Sequence, residues 1–422
     1  MADEFEVPGG YTLLVRGPGS AEVIEGEVKA FGARLGSGSR LRVPEGRTIP
    51  LEALSDSFVR ASAESVEMVE GSTVPREWEE LAEEALDEEK VVVIGANDTG
   101  KSSLILYMVN RALEAGRRPA VVDADVGQTD VGPVGTIGLA FPGRQSPVYS
   151  DFELAGAYFV GDKSPVGHLL PMVVGSRLMV DEAVRAGARP VFVNTTGLVD
   201  GGAGWALKTH KVEALAPDLL VAIERDGELG HILRSIPRGV RVARISPPKA
   251  LAKERADRAR YRAATLTAMA SRRAAVELDL REVRVVNARS ILMADDGELR
   301  RKLEAAIGAK PELVGVSGGE AVAVFRERLE QKDFSYAMAI LGGAGEPRVV
   351  TLDRIVGLYL GFMDERDRLI GVGRLLGLEP RRGVLRGEAA FFSQGKIGGV
   401  AFGYLLLDDE WREVGAIKPG YL

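Results

Sequence analysis

The amino-acid sequence predicts an α/β protein built on a mostly parallel, doubly wound sheet. In the middle of the chain, short apolar runs alternate with stretches of helical length and periodicity, an order typical of such sheets. Patterns of short strands punctuated by glycine precede and follow this part. We therefore predict a small N-terminal β domain over residues 1–75, an α/β domain over residues 76–273 and a β-rich C-terminal domain over residues 274–422.

The two flanking regions and the junction before the α/β domain have distinct patterns. Glycine turns separate short strands near the N-terminus, as in YTLLVRG and SVEMVEG. The segment PREWEELAEEALDEEK then carries eight acidic residues against two basic ones, and we expect a solvated helix that joins the two domains. After residue 273, apolar alternation in GGEAVAVFRE and GGVAFGYLLL predicts strands again.

Composition excludes several classes of protein. The 422 residues contain no cysteine and only three scattered histidines, so disulfides and thiolate metal sites are absent and we expect no zinc site. No apolar stretch reaches the roughly 20 residues of a membrane helix, and no secretory signal is evident, so we expect a cytoplasmic protein without a membrane partner. The formal charge of -7 argues against a general nucleic-acid coat, although residues 241–273 hold ten basic residues against two acidic ones.

A glycine-framed loop joins the first apolar strand of the α/β domain to a helix, in VVVIGANDTGKSS. Its pattern is that of the Walker A motif, in which backbone N–H groups and a helix N-terminus bind phosphate. Lys101 would reach the β and γ phosphates of ATP, and the Ser102 hydroxyl would take a Mg²⁺ position. The sequence thus indicates a P-loop NTPase fold. Its predicted nucleotide-binding residues are Gly95, Ala96, Asn97, Asp98, Thr99, Gly100, Lys101, Ser102 and Ser103.

Two aspartates end the next predicted strand, in VVDADVGQ. Ligands of open α/β sheets bind at the carboxyl ends of the strands. Asp125 is therefore a candidate to orient Mg²⁺ or to activate an acceptor hydroxyl, the alternative being a carboxylate that only caps the turn. Gln128 is a candidate to position water or phosphate, or else a turn residue.

Two further segments bring polar and basic residues toward the same sheet edge. NTTGLVDGGAG, residues 194–204, follows another predicted strand, and it suits either a ligand-contacting loop or a flexible connection. Arg255, Arg258 and Arg262 lie at i, i+3 and i+7 on one face of a predicted helix. That face either binds phosphates or is solvated. Because no NKxD motif follows residue 194, a guanine-specific switch is disfavoured.

Taken in order, these segments resemble the polynucleotide 5′-hydroxyl kinase family, which includes archaeal RNA kinases, the kinase of the eukaryotic pre-mRNA cleavage machinery and the nucleolar rRNA-processing kinase. The resemblance covers roughly residues 7–262. It rests on GANDTGKSS, VDADVGQTDVGPVGTIGLA, YFVGDKSPVGHLL and NTTGLVDGGAGWALKTHKVEALAPD. It implies transfer of the γ-phosphoryl group of ATP to the 5′-OH of RNA or DNA in an archaeal protein.

The resemblance also implies residue roles. Lys101 and Ser102 hold phosphates and Mg²⁺, and Asp125 activates the acceptor hydroxyl. The expected substrate-binding clasp contains Thr195, Thr196, Gly197 and Leu198, and the expected lid over the triphosphate contains Arg258 and Arg262, with Arg255 able to replace either.

One position of the clasp departs from the family pattern. Eukaryotic members often have a tryptophan where this chain has Leu198, and that ring can stack on the substrate base. We therefore expect weaker or relocated recognition of the terminal base, with Trp205 either supplying a ring or packing as a buried helix residue.

Two other interpretations remain open at this stage. One is an ATP-binding adaptor of an RNA-processing complex with little or no turnover. The other is an ATPase switch whose only acceptor is water. The sequence leaves open the choice between RNA and DNA and the oligomeric state.

Overall fold

The computed structural model describes residues 2–248 and 255–422, with the side chains of residues 255–258 left outside that description. The chain divides into two compact units, Met1–Thr265 and Leu266–Leu422. The first unit contains both the N-terminal strands and the α/β sheet. The boundaries predicted after residues 75 and 273 stay predictions.

The N-terminal region is a pair of antiparallel sheets around one apolar core. The sheet orders are β1-β8-β3-β6 and β5-β4-β7-β2-β9. Inward residues alternate with outward ones, so that Leu13 and Val15 from one sheet and Val23 and Val59 from the other are fully buried. The strands are β1 Asp3–Val7, β2 Tyr11–Arg16, β3 Gly19–Glu25, β4 Glu27–Ala30, β5 Ala33–Gly36, β6 Arg40–Val43, β7 Thr48–Ala53, β8 Ser57–Ser62 and β9 Ser65–Glu70.

Helix α1, Arg76–Ala85, follows Pro75 and carries the acidic segment. Its outer face is charged, but Trp78, Leu81 and Ala82 are buried in the core of the α/β domain. The Trp78 ring lies 6.2 Å from that of Tyr107. The expected helix is thus present and its acidic face is solvated, but its apolar face packs into the core.

The α/β domain contains a seven-stranded sheet in the order β13-β12-β11-β14-β10-β15-β16. Strands β11, β14, β10, β15 and β16 are parallel, whereas β12 and β13 at one edge pair in antiparallel fashion. The strands are β10 Lys90–Gly95, β11 Ala120–Ala124, β12 Thr136–Ala140, β13 Leu154–Phe159, β14 Val191–Thr195, β15 Leu219–Ile223 and β16 Arg241–Ile245. The helices are α2 Lys101–Glu114, α3 Leu169–Arg185, α4 Gly201–Leu215, α5 Gly230–Leu233 and α6 Arg255–Ala270.

Helices cover both faces of this sheet. Val91 and Val93 of β10 belong to the core that includes residues of α1 and α2. Val92 and Ile94 belong to the opposite core, which includes residues of α3, α4 and α5. Two covered faces explain the unbroken apolar run of β10, and the predicted doubly wound, mostly parallel sheet is confirmed.

The second unit is β-rich, as predicted, and also contains two helices. One sheet has the order β17-β24-β23-β22-β25-β18, with β26 paired to β25, and a smaller sheet has the order β19-β20-β21. None of the described helices is long and apolar enough to cross a membrane. The elements are β17 Ala274–Asp279, β18 Arg284–Val286, α7 Gly297–Ile307, β19 Leu313–Ser317, β20 Glu320–Phe325, α8 Gln331–Gly342, β21 Glu346–Thr351, β22 Leu358–Asp364, β23 Leu369–Glu379, β24 Val384–Phe391, β25 Ile397–Leu407 and β26 Glu413–Ala416.

Candidate active site

The glycine-framed loop between β10 and α2 has the geometry of a phosphate-binding loop. Gly100 adopts a φ of 89°, a conformation that suits glycine, and α2 begins at the next residue. The Lys101 side chain turns back into the loop, where its Nζ donates to the carbonyl of Gly95 at 3.1 Å and to that of Ala96 at 2.6 Å. Burial lowers the pKa of Lys101. Within the described part of the chain its hydrogen bonds go to carbonyls alone, and the oxygens of a phosphate would replace them.

Ser102, the second residue of α2, is connected to the adjacent strand ends by one amide group. The Nδ2 of Asn194 lies 3.2 Å from Ser102 Oγ and 3.0 Å from Asp123 Oδ1. Asn194 is the next-to-last residue of β14, and Asp123 is at the same level on neighbouring β11. Strand order therefore places the start of α2, the end of β11 and the end of β14 in one cluster.

Asp123 is almost fully buried and accepts four hydrogen bonds. The donors are Nδ2 of Asn194 and the backbone N–H groups of Asp125, Asp130 and Val131, with the Asp130 bond at 2.5 Å. Burial, with the nearby Asp130 and Asp125 carboxylates, raises the pKa of Asp123 to about 7. This carboxylate organises the loop after β11 and has little capacity left for a ligand.

Asp125 has one oxygen engaged and one available. Its Oδ1 accepts from the backbone N–H groups of Gly127 at 3.2 Å and Gln128 at 3.3 Å, so it does cap the turn, as the alternative interpretation held. Its Oδ2 makes no hydrogen bond to the described residues. The side chain is only partly buried. These two hydrogen bonds fix the orientation of the Asp125 carboxylate and leave Oδ2 available. The candidate roles of Asp125 and Gln128 stay predictions.

The predicted clasp residues lie beside the phosphate-binding loop. Thr195 and Thr196 are buried, and Thr195 Oγ1 donates to the Val93 carbonyl of β10 at 2.8 Å. Gly197 lies so close to the loop that a Cβ added there would be 2.0 Å from Oδ1 of Asn97 and 2.7 Å from its backbone nitrogen. The first residues of this segment are thus tightly packed at the carboxyl edge of the sheet.

The two residues considered for base stacking differ in setting. Leu198 is half-buried against the core shared by α3 and α4. Trp205 is 40% exposed, and its Nε1 donates to Ser235 Oγ at 2.9 Å. The interpretation of Trp205 as a buried helix residue is therefore wrong.

Helix α6 approaches the loop after β11. The Arg262 guanidinium lies 3.5 Å from the Gly127 carbonyl. Tyr261 stacks under the guanidinium of Arg47, 4.7 Å from the ring centre, and its hydroxyl lies 3.5 Å from Asp130 Oδ1. For Arg255 and Arg258, the side chains lie outside the described residues, so the predicted lid is represented here by Arg262 alone.

Sequence reasoning missed an ionic contact between the N-terminal strands and the α/β domain. Arg47, just before β7, pairs with Asp130, and their side chains are 17% and 5% exposed. Arg47, Ser102, Leu106, Tyr149 and Tyr261 line one cleft. No local pattern in the sequence predicts this ion pair, because its two residues are far apart along the chain.

The residues present fit a Mg²⁺ ion that arrives with ATP. Within the described residues no three His, Cys, Asp or Glu side chains cluster to hold a metal by themselves. Magnesium bound with a nucleotide needs few protein ligands, because phosphates and waters supply the rest. Asn194 Oδ1 is buried next to Ser102 Oγ and has no hydrogen-bond partner among the residues that the structure describes. An orphaned acceptor beside that hydroxyl suits a water of a hydrated cation.

The phosphate-binding loop, the carboxyl-edge aspartates and the two-sided α/β sheet together define a P-loop nucleotide-binding domain. Residues 95–268 match the family model described as mRNA cleavage and polyadenylation factor CLP1 P-loop. The resemblance predicted from the sequence is thus confirmed over these residues, where the chain is similar to the CLP1 P-loop family.

Several curated relatives are named polyribonucleotide 5′-hydroxyl-kinase. The chain is 36% identical over 153 residues to the one from Methanocaldococcus jannaschii, covering 36% of this chain and 42% of the relative. It is 38% identical over 145 residues to the one from Pyrococcus abyssi, covering 34% and 40%. The matches thus span about two fifths of these two relatives. A third, from Thermococcus kodakarensis, is 29% identical over 335 residues, covering 78% of this chain and 91% of the relative.

Solved structures share the fold over nearly the whole chain. A structure of the wild-type Clp1p-Pcf11p complex matches with a TM-score of 0.64 at 13% identity, covering 96% of this chain and 97% of that chain. A second structure, described by an extended interface between Pcf11p and Clp1p, matches with a TM-score of 0.65 at 12% identity, covering 96% and 98%. At this identity the likeness establishes the fold alone.

Proposed function

We propose that this protein is an ATP-dependent polynucleotide 5′-hydroxyl kinase that transfers the γ-phosphoryl group of ATP to the 5′-OH of RNA, and also of DNA. The observation that carries the proposal is the convergence of three segments at one sheet edge. Asn194 joins Ser102 to Asp123, and Gly197 packs on Asn97. The names of the relatives support a polyribonucleotide acceptor.

The proposed reaction needs little covalent chemistry from the protein, since phosphoryl transfer depends mainly on positioning and charge stabilisation. The 5′-oxygen of the polynucleotide forms a bond to the γ-phosphorus as the bond from that phosphorus to the β–γ bridging oxygen breaks, and ADP leaves. The 5′-OH proton passes to Oδ2 of Asp125, the oxygen that makes no hydrogen bond to the described residues. Lys101 leaves the carbonyls of Gly95 and Ala96 to hold the β and γ phosphates.

Magnesium supplies neutralisation of phosphate charge in such reactions. In this proposal the Ser102 hydroxyl would hold the ion, and the Asp125 carboxylate and Asn194 Oδ1 would orient it by accepting hydrogen bonds from its waters. Arg262, already at the loop after β11, closes over the triphosphate as part of the lid. In this proposal Gln128, Thr195, Thr196, Gly197 and Leu198 belong to the loops beside the acceptor strand, and the buried Thr195 and Thr196 fix the clasp from within.

The nucleoside end of ATP is proposed to enter the cleft that begins at Ser102 and Ser103 of α2. Phe31 and Ile49 from the N-terminal strands, with Leu106 and Tyr149, give this cleft apolar walls. Such walls suit an aromatic base without selecting one base by a fixed hydrogen-bond pattern.

The test is incubation of the purified protein with γ-labelled ATP, Mg²⁺ and a 5′-OH oligoribonucleotide. Label on the oligonucleotide supports the kinase, and a parallel reaction with an oligodeoxyribonucleotide measures the DNA activity. Release of labelled phosphate without labelled oligonucleotide would favour the ATPase switch, and ATP binding with neither product would favour the adaptor. Lys101→Met, purified identically, controls for a contaminating kinase. The expected cytoplasmic location and archaeal origin remain part of this proposal.

A further inference from the structure

Helix α4 carries two lysines, Lys208 and Lys211, whose side chains are 0% and 1% exposed. Burying an ammonium group costs free energy unless partners compensate. The two lysines lie one turn apart on the same helix but differ in their partners. Lys211 Nζ makes no hydrogen bond within the described part of the chain, whereas Lys208 Nζ is surrounded by acceptors.

The acceptors around Lys208 all belong to the clasp segment. Its Nζ donates to Thr195 Oγ1 at 2.9 Å, donates to the Thr196 carbonyl, and lies 3.4 Å from Thr196 Oγ1. These three oxygens lie on two successive residues and surround the amino group of Lys208. Burial, with the nearby Lys211 and Lys101, lowers the pKa of Lys208 far below its usual range. Helix α4 therefore holds an amino group whose burial costs free energy. Within the described residues, its hydrogen-bond partners all belong to the clasp.

The clasp is itself in contact with β10 and with the phosphate-binding loop. Thr195 Oγ1, which accepts from Lys208, donates in turn to the Val93 carbonyl of β10. Two residues further along, Gly197 packs directly on Asn97 of the loop. Lys208, the clasp and the loop thus form a continuous series of close contacts, although Lys208 itself is fully buried.

We infer that Lys208 is a positioning residue for phosphoryl transfer, which fixes the backbone of residues 195–197 against the phosphate-binding loop. The inference rests on the proposed kinase function. Lys208 acts through the clasp and is not placed to contact ATP or the acceptor. Loss of its hydrogen bonds should let the clasp and the loop move apart, and displacements near 1 Å in an active site cost about 10²-fold in rate.

The experiment compares Lys208→Met, Thr195→Val, the double variant and Lys211→Met, each assayed well below its own melting temperature. We expect Lys208→Met to lower kcat by about 10- to 100-fold. Lys211→Met removes an equally buried amino group that makes no hydrogen bond to the described clasp residues. Its interaction with Asp125 and Asp123 is then lost without loosening the clasp, and kcat should stay within about 3-fold of wild type. A merely structural lysine would lower the melting temperature but leave kcat of the folded protein unchanged.

Coupling between the two clasp variants gives a second readout. If Lys208 acts through Thr195, the double variant should be little slower than the slower single variant, because each substitution breaks the same contact. Multiplicative effects on kcat, or equal losses in Lys208→Met and Lys211→Met, would overturn the inference. If Lys208→Met does not fold, Thr195→Val alone decides: a wild-type kcat in that variant would also overturn it.

The outcome remains distinguishable from failure of the kinase proposal. If the wild-type protein transfers no phosphate, the proposed function is wrong whatever the variants do. The dissociation constant of ATP then tests the same contacts, since a loosened loop should weaken ATP binding in Lys208→Met by at least about 10-fold but not in Lys211→Met. Equal ATP affinities in the two variants would refute the positioning role.

Discussion

Gly197→Ala should impair phosphoryl transfer through a collision that the structure measures directly. The new Cβ would stand 2.0 Å from Oδ1 and 2.7 Å from the backbone nitrogen of Asn97. The side chain of Asn97 can rotate away, but its backbone nitrogen cannot, and 2.7 Å is roughly 0.7 Å short of ordinary van der Waals contact. The clasp and the phosphate-binding loop must therefore separate by about that distance.

A separation of this size predicts a loss of about 10- to 100-fold in kcat, because a misplacement of 1 Å can cost about 10²-fold. Overpacking should also lower the free energy of unfolding by about 1–3 kcal/mol. The assay is transfer of label from γ-labelled ATP to a 5′-OH oligonucleotide, with ATP affinity measured by calorimetry and folding checked by thermal melting.

The matched control is Gly202→Ala, a substitution five residues along the same glycine-rich segment. A Cβ at Gly202 would meet nothing within 4 Å, and the residue lies in the first turn of α4. Its kcat should remain at the wild-type value, and its stability should rise by about 0.5–1 kcal/mol because alanine favours helix over glycine. A Gly197→Ala variant with wild-type kcat and ATP affinity would show that the contact has no bearing on the site.

Three further predictions concern charged groups. Lys101→Met should reduce transfer by about 10²- to 10³-fold without lowering the melting temperature, because it removes a buried ammonium of lowered pKa; a lower melting temperature would contradict this. Burial lowers the pKa of Lys211 to about 7, so the unfolded chain binds a proton that the folded protein lacks between pH 7 and 10.5. The free energy of unfolding of the wild-type protein, measured in urea, should therefore increase as the pH rises through this window. Lys211→Met should lack this increase and should be more stable than the wild-type protein at pH 7. Arg47→Met should cost about 3–5 kcal/mol because it leaves Asp130 buried and unpaired, whereas Arg40→Met, at a side chain 77% exposed, should cost at most about 1 kcal/mol.

The sequence was sufficient for features encoded by neighbouring residues. The phosphate-binding loop could be predicted because its glycines, Lys101 and the flanking apolar run are contiguous. The turn-capping alternative for Asp125 was likewise recognisable, since the donors are two and three residues away.

Features made by residues distant in sequence were not predictable in this way. Arg47 meets Asp130 only after two layers of structure pack together, and nothing near either residue signals the partner. Trp205 shows the same limit, because its position on a predicted helix does not reveal that its side chain is 40% exposed and donates to Ser235. Lys208 carried no local signal either, because its buried state depends on acceptors of the clasp, Thr195 and Thr196.

The pairing of Arg47 with Asp130 has a consequence for how this protein can be divided. A truncated protein beginning at residue 76 would keep every residue of the Walker A motif and would satisfy any search for a P-loop domain. It would nevertheless lose the cation that neutralises Asp130 and two apolar walls, Phe31 and Ile49, of the adjoining cleft. If the nucleoside end of ATP binds in that cleft as proposed, the N-terminal strands contribute directly to nucleotide binding, and a chain without them would leave Asp130 without its cation.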